Sequence, residues 1–274
     1  MSSECTRFFF MLNQSAVKTT DFQKYFYPPL NYIYEVFRVY QQKPLFIEDH
    51  LKRFFNTVKL AGVKPEVSYN QLLDQIHQVI DLNPPGDGNI KLALYQDQNG
   101  IRNLFVYFTP HQYPSENQFT EGVEVELYFA ERENPNAKVM QTILRQSADQ
   151  VKTAHEVYEV LLVDREGFIT EGSRSNVFFI LNNQVITPPA NTVLEGITRK
   201  YIIDICHENN ISVVAEKVHY SSLNLMDALF ISGTSRQVLP VNRVDQMNFE
   251  VKHPLLTRLQ YLFREKVSAY LKTQ

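Results

Sequence analysis

The chain has 274 residues, a hydrophobic share of 44% and an aromatic share of 12%, which exceeds the usual single-core size and predicts two domains. A formal net charge of −3 offers no basic field, which argues against nucleic acid as the main partner. No apolar run reaches membrane-spanning length, and two cysteines, Cys5 and Cys206, make no disulfide framework. Phe8 to Leu12 is too short for a signal core and lacks a basic lead, so it reads as a buried strand of a cytoplasmic protein.

In chain order, residues 6–12 predict a strand and Asn13 to Leu30 a loop with Pro28-Pro29. Tyr34 to Tyr40 (YEVFRVY) is rich in β-formers and predicts a strand. Gln41 to Pro44 turns the chain, and Leu45-Phe46 starts the return. Glu48 to Ala61 predicts a helix: Leu51, Phe54, Phe55 and Val58 recur at helical spacing, and Gly62 stops it. A second helix runs from Tyr69 to Leu82. Asn89 to Tyr95 and Ile101 to Phe108 pair as a hairpin around Asn99-Gly100. His111 to Gly122 is polar and linker-like. The reading is an N-terminal domain over 1–110, a linker over 111–122 and a C-terminal domain over 123–274.

Val123 to Ala130 predicts a strand. A Pro135-containing loop leads to Lys138, and Val139 to Ala154 reads as an amphipathic helix. Glu159 to Val163 is a strand and Asp164 to Gly167 a turn. Glu171-Gly172-Ser173 is a second turn before the apolar strand Val177 to Ile180. A short strand ends at Thr187-Pro188-Pro189. Gly196-Ile197-Thr198 opens a helix to Asn209. Ile211 to Val218 is a strand, Ser222 caps a short helix to Asp227, and Ala228 to Ser232 runs into Gly233-Thr234-Ser235. Pro254 to Leu271 is a last helix. Strands and helices without strict βαβ alternation predict an α+β fold.

Several residues carry candidate chemistry, each with an ordinary alternative. Lys138, between a polar loop and an apolar helix, is either a solvated lysine or an amine made nucleophilic by partial desolvation. Glu171 is either a solvated turn acid or the partner of a cationic ring nitrogen. Gly196-Ile197-Thr198 places backbone N–H groups and a hydroxyl at a helix start, which suits a phosphate but also describes a plain cap. Gly233-Thr234-Ser235 is a second donor-rich turn. Arg53, beside the apolar stripe of its helix, is either a phosphate fork or a surface arginine. The histidines fall at no metal-ligand spacing, and no P-loop, nucleophile elbow or C-x-x-C motif occurs.

Five segments in order, YEVFRVY, EDHLKRF, NAK, EGSRSNVF…TPPANTVLEGITR and ALFISGTSRQVLPVNRVD, resemble the class IV, pyridoxal-phosphate-dependent aminotransferases. That family includes branched-chain and D-amino-acid aminotransferases and 4-amino-4-deoxychorismate lyase. The resemblance runs from about Tyr34 to Asp245. It implies two α/β domains with pyridoxal 5'-phosphate in the cleft between them, as a homodimer. It implies that Lys138 is the Schiff-base lysine, Glu171 the partner of the pyridine nitrogen and Arg53 the phosphate-binding arginine. Ile197 and Thr198 resemble the helix-start phosphate ligands, and Gly233 and Thr234 the second-turn ligands. Leu194 is similar to the residue packed on the cofactor ring, and Tyr34 to the aromatic on the substrate side. Arg38 and Arg236 are candidates for the substrate carboxylate, or else structural ion pairs.

Three features depart from the family pattern. Pro-Leu-Asn-Tyr-Ile stands where a Gly-Asp-Gly-type turn is common. Ile143 stands near the place of a tyrosine typical of branched-chain enzymes. AKVMQ differs from the lysine segment common in the lyase. The leading reading is an aminotransferase acting on an amino acid and a 2-oxo acid. The second is the pyruvate-eliminating lyase, and the third a non-catalytic binding protein on the same fold.

Overall fold

The structure is a computed structural model that describes residues 4–63 and 67–273. The chain divides into two units. One comprises Met1–Gln112, Ala137–Thr142 and Tyr270–Gln274, the other Tyr113–Asn136 and Ile143–Ala269. This grouping differs from the expected boundaries, because Lys138 is counted with the first unit. The reason is backbone pairing of residues 138–140, given below.

In the first unit, β1 (Phe9–Leu12) and β2 (Ser15–Lys18) form a hairpin with Leu12 opposite Ser15. The two linking residues, Asn13 and Gln14, both take positive φ, 46° and 73°, as a two-residue hairpin turn requires. Gln in place of the usual Gly hides this turn, so the sequence reads as loop there. α1 (Phe22–Tyr25), β3 (Ile33–Tyr40), β4 (Lys43–Pro44), α2 (Ile47–Leu60), α3 (Tyr69–Asp81), β5 (Gly88–Gln96) and β6 (Arg102–Thr109) follow. The antiparallel sheet runs β2-β1-β6-β5-β3-β4. Its Phe37, Val39, Ile90 and Leu92 form one core with Leu51 and Phe54 of α2 and Leu72 and Ile76 of α3. A separate core is aromatic: Phe10, Phe22, Tyr32, Tyr34, Phe105 and Tyr107. Burial on both faces explains why YEVFRVY does not alternate cleanly.

In the second unit, α4 (Glu116–Glu121) lies inside the stretch read as a linker. Its Ser115 and Gln118 make a reciprocal capping box, a legible S-x-x-Q start signal. Then come β7 (Val123–Phe129), α5 (Thr142–Ala154), β8 (Glu159–Val163), β9 (Phe168–Gly172), β10 (Asn176–Leu181), β11 (Gln184–Thr187) and α6 (Ile197–Glu208). β12 (Val213–Ala215), β13 (Val218–His219), β14 (Ala228–Gly233), β15 (Gln237–Val244), β16 (Met247–Asn248) and α7 (Pro254–Thr273) complete it. The mixed sheet runs β12-β11-β10-β14-β15-β7-β8-β9-β13, with β16 on β15. Its core includes Val125, Leu161, Val177, Phe179, Leu229, Ile231 and Leu239.

Three expected elements are redrawn. The helix expected from Val139 begins at Thr142, because residues 138–140 are extended against the start of β3. The strand expected over Ile211 to Val218 is two short strands at opposite ends of the sheet. The short helix expected from Ser222 is a 3-10 turn, Tyr220–Leu225, capped by the His219 side chain on Ser221 N. Among the described residues, no helix is long and apolar enough to cross a membrane.

Candidate active site

Lys138 is fixed by its backbone on both sides. Its carbonyl accepts from Tyr34 N at 3.1 Å, and Met140 N donates to Tyr32 O at 2.8 Å. Lys138 N donates to Thr57 Oγ1 at 3.3 Å, and that hydroxyl donates to the Arg53 carbonyl at 3.0 Å. The lysine peptide is therefore tied to both β3 and α2. Its half-buried side chain carries the amine to 4.9 Å from the centre of the Tyr34 ring, within cation–π reach.

A second lysine, which the sequence reading missed, stands near the same ring. Lys91 of β5 is buried, with Nζ 5.8 Å from the Tyr34 centroid. It donates to Glu4 Oε1 at 2.7 Å and Tyr32 Oη at 2.8 Å. Tyr107 Oη donates to the same Glu4 oxygen at 2.9 Å, and burial pushes this phenol well above its ordinary value. The available signal was a lysine inside an otherwise apolar strand.

Arg53 forms a fork on Glu35 of β3, through Nε at 2.8 Å and Nη2 at 2.5 Å. His50, one turn earlier on α2, reaches the same carboxylate through Nδ1 at 3.0 Å. Burial alone would raise the Glu35 carboxyl, but the Arg53 charge and the His50 hydrogen bond outweigh it and hold it far below the usual carboxylate range. Burial pulls His50 below its ordinary value, against the opposing pull of Glu35. The sequence singles out Arg53 as a candidate but not the Glu35 carboxylate that orients it, and the histidine, expected to be structural or exposed, is buried on that carboxylate. Arg38, expected near a substrate carboxylate, pairs with Asp87 at 3.0 Å and lies over Tyr40.

In the second unit, Glu171 is 3% exposed at the end of β9. Arg132, another residue that the sequence did not single out, donates through Nε to Glu171 Oε1 at 2.7 Å and through Nη2 to the Ser173 carbonyl at 3.3 Å. The other carboxylate oxygen accepts from Leu194 N at 3.4 Å. Asn176 Nδ2 donates to the Leu194 carbonyl at 2.8 Å. A Cβ on Gly196 would meet Asn176 Oδ1 at 2.1 Å, so a side chain there would displace that amide. Gly196 is the N-cap of α6 and brings no side-chain cap. The N–H groups of Ile197 and Thr198 begin the helix, and both residues are buried. Gly233-Thr234-Ser235 turns between β14 and β15, with Gly233 opposite Gln237. Arg236 pairs with the buried Glu159 at 3.0 Å.

Lys138, Tyr34, Arg53 and Arg38 thus belong to the first unit, and Glu171, Leu194, Ile197, Thr198, Gly233, Thr234 and Arg236 to the second. The structure brings Lys138 to Tyr34, and Glu171 to Leu194 and through Asn176 to the start of α6. This donor set fits pyridoxal phosphate: a primary amine for an aldehyde, a buried carboxylate for a pyridine nitrogen and a helix N-terminus without a side-chain cap for a phosphate. Ile143, by contrast, is 68% exposed.

A family model described as amino-transferase class IV matches residues 32–244. A D-alanine aminotransferase of Bacillus licheniformis is 25% identical over 227 residues, 78% of each chain. The branched-chain amino acid aminotransferase of Escherichia coli superposes with a TM-score of 0.85 at 21% identity, covering 96% of this chain and 95% of its own. A Legionella pneumophila protein named as a candidate 4-amino-4-deoxychorismate lyase gives 0.78 at 23% identity, over 85% and 90%. The two structural likenesses show a common fold. With the family match spanning most of its length, the chain belongs to the class IV aminotransferases, a family of pyridoxal-phosphate-dependent enzymes.

Proposed function

We propose that this chain is an aminotransferase that binds pyridoxal 5'-phosphate and exchanges an amino group between an amino acid and a 2-oxo acid. The observation that carries the reading is the hydrogen-bonded neighbourhood of Glu171 and the α6 start, through Leu194 and Asn176. A carboxylate and an anion site that share two braces suit the two ends of one zwitterionic ligand.

The cofactor, when bound, supplies an electron sink for the pair released at the substrate Cα. Lys138 Nζ would hold the cofactor's aldehyde carbon and, when free, would act as the acid–base that removes a proton from the substrate Cα, delivers it to that carbon, and carries it back in the reverse direction. Glu171 would hold the proton on the ring nitrogen. Ile197 N, the Thr198 hydroxyl and the Thr234 turn would hold the phosphate, as would Arg53, which Glu35 orients. Tyr34 would shield the amine from water, and Leu194 would line the ring. As in the family it resembles, the proposal includes a cytoplasmic homodimer, which sedimentation velocity and fractionation check.

The test is a product assay. The protein, loaded with pyridoxal phosphate, is given branched-chain, acidic, aromatic and D-amino acids with a 2-oxo acid, and aminodeoxychorismate separately. Amino-group exchange supports the proposal. Release of pyruvate and 4-aminobenzoate without exchange makes it a lyase. A protein that stays colourless and gives no borohydride-trapped adduct is a binding protein. Lys138→Ala is expected to lose the yellow absorbance and about 10²–10⁴-fold of the activity.

A further inference from the structure

We propose that Glu159 is a positioning residue that holds two turns of the candidate cofactor site, the one after Glu171 and the one at Thr234, at a fixed spacing. The inference rests on the aminotransferase reading. Glu159 opens β8 and is fully buried. Among the described residues its carboxylate draws on five donors. Oε1 accepts from Ser173 Oγ at 2.6 Å and from Val160 N at 3.1 Å. Oε2 accepts from Ser175 Oγ at 3.2 Å and from Arg174 N at 3.3 Å, and pairs with Arg236 Nη2 at 3.0 Å. The donors at 173, 174 and 175 belong to the turn that begins at Glu171-Gly172, and Arg236 to the turn that begins at Gly233-Thr234. The two turns also meet directly, because Arg236 Nη1 donates to the Arg174 carbonyl at 3.2 Å.

The first turn is shaped to admit the carboxylate. Gly172 N donates to the Ser175 carbonyl at 2.7 Å. A Cβ on Gly172 would stand 2.0 Å from Ser175 Oγ and 3.2 Å from Glu159 Cγ, so a side chain there would drive the serine or the turn off Glu159. Burial alone would raise the Glu159 carboxyl, but the charges of Arg236 and Lys152 and the Ser173 hydrogen bond outweigh it and hold it below its ordinary value. The group is therefore an anion at neutral pH. A plain ion pair with Arg236 would need no serine. Two hydroxyls and a backbone N–H of one turn, bonded to the same carboxylate as the arginine of the other, make the position of each turn depend on its neighbour. Pyridoxal phosphate requires such a dependence. Its ring nitrogen and phosphate are joined by fixed covalent bonds, so the groups that bind them must keep one spacing. The ring nitrogen would meet Glu171, immediately before Gly172, and the phosphate would meet Thr234, two residues before Arg236. A brace behind the contacting residues keeps the two in register.

The experiment titrates the full chain, freed of cofactor, with three probes, followed by absorbance and calorimetry. Pyridoxal reports the ring end, inorganic phosphate the phosphate end, and pyridoxal phosphate both. Glu159→Gln is expected to weaken pyridoxal and inorganic phosphate about tenfold each, and pyridoxal phosphate about a hundredfold. Ser173→Ala combined with Ser175→Ala strands no charge and should weaken both single-ended probes about threefold or more. Glu159→Asp keeps a charge for Arg236 and should recover part of the loss in inorganic phosphate. Val125→Ala opens a cavity in the core of the same sheet and controls for lost stability: the folded variant should bind all three probes as the unaltered chain does. Unaltered affinity for either single-ended probe in the serine double variant overturns the two-turn role, and so does a loss in Val125→Ala equal to that in Glu159→Gln. The serine variant decides by itself if Glu159→Gln does not fold. If the unaltered chain binds none of the probes, the aminotransferase reading fails separately. Amide hydrogen exchange in the serine variant then decides the positioning role. Joint loss of protection at residues 172–175 and 233–236 supports it, and loss confined to 172–175 overturns it.

Discussion

A carboxylate removed from water needs compensation by cations or hydrogen bonds, and three buried glutamates of this chain are met by arginines. Glu35 faces Arg53, Glu159 faces Arg236 and Glu171 faces Arg132. Removing one partner of such a pair leaves the other charge stranded. Glu171→Gln is therefore expected to cost about 3–5 kcal/mol of stability, read by urea unfolding, in addition to its effect on turnover. An unchanged midpoint would show that Arg132 finds another partner. The Glu35–His50 contact predicts an acid-sensitive fold. His50 is depressed by burial, so below about pH 6.5 the unfolded chain takes a proton that the native imidazole refuses, and stability falls with pH. Glu35 is depressed as well, so its contribution is present above about pH 4.3 and is lost as pH falls towards its native value. Stability should thus decline from about pH 6.5 and steepen below about 4.3. His50→Gln should flatten the upper part of that decline, as followed by thermal unfolding across pH. Of these residues only Arg53, Glu171 and Arg236 stand out in the sequence as candidates. Glu35 and His50 sit inside YEVFRVY and EDHLKRF, but pattern alone does not show that they share one carboxylate. Arg132 lies in a polar loop, where an arginine ordinarily faces solvent.

At the scale of elements, the start of α6 depends on one absent atom. Asn176 of β10 holds the Leu194 carbonyl, and its Oδ1 fills the space where a Gly196 side chain would stand. Gly196→Ala is expected to push the amide off Leu194, shift Ile197 and Thr198, and weaken cofactor binding about tenfold or more, in line with loss of a charge-assisted contact. Gly196→Ala with Asn176→Ala should bind cofactor better than Gly196→Ala alone. Titration of all four forms with pyridoxal phosphate measures this coupling, and additive losses would show that the amide and the glycine act separately. The elements that were legible are those with strong local signals. α2 and α3 follow from apolar periodicity, and the β5–β6 hairpin from Asn-Gly. The missed elements failed for specific reasons. The β1–β2 turn uses Asn-Gln in place of a glycine pair. The segment at Lys138 is extended because Tyr32 and Tyr34 take its backbone hydrogen bonds, a long-range pairing that overrides helical spacing. α4 did carry a capping-box signal, but it is only a turn and a half long inside polar sequence.

At the scale of the whole molecule, the division into units does not follow the chain. The first unit takes Met1–Gln112 and also Ala137–Thr142, and that short insert contributes more than proximity. Val139 bridges Ile33 and packs against the core of α2 and α3. Met140 is buried in the aromatic core with Tyr32, Tyr34 and Phe105, and its N–H binds Tyr32 O. A fragment ending at residue 112 would therefore expose Tyr34 N and Tyr32 O and leave a void where Met140 packs. Losing a buried methionine side chain costs about 2–5 kcal/mol, a large share of the stability of a domain this size. The fragment 1–112 is expected to show a blunted near-UV signal from its aromatic core and an earlier, broader urea transition. Joining residues 136–142 to residue 112 through a flexible linker should sharpen the transition. Met140→Ala in that extended form should abolish most of the gain. If 1–112 alone unfolds as cooperatively as the extended form, the insert is an ornament of the unit, and Lys138 owes its position to contacts other than those with Tyr32 and Tyr34.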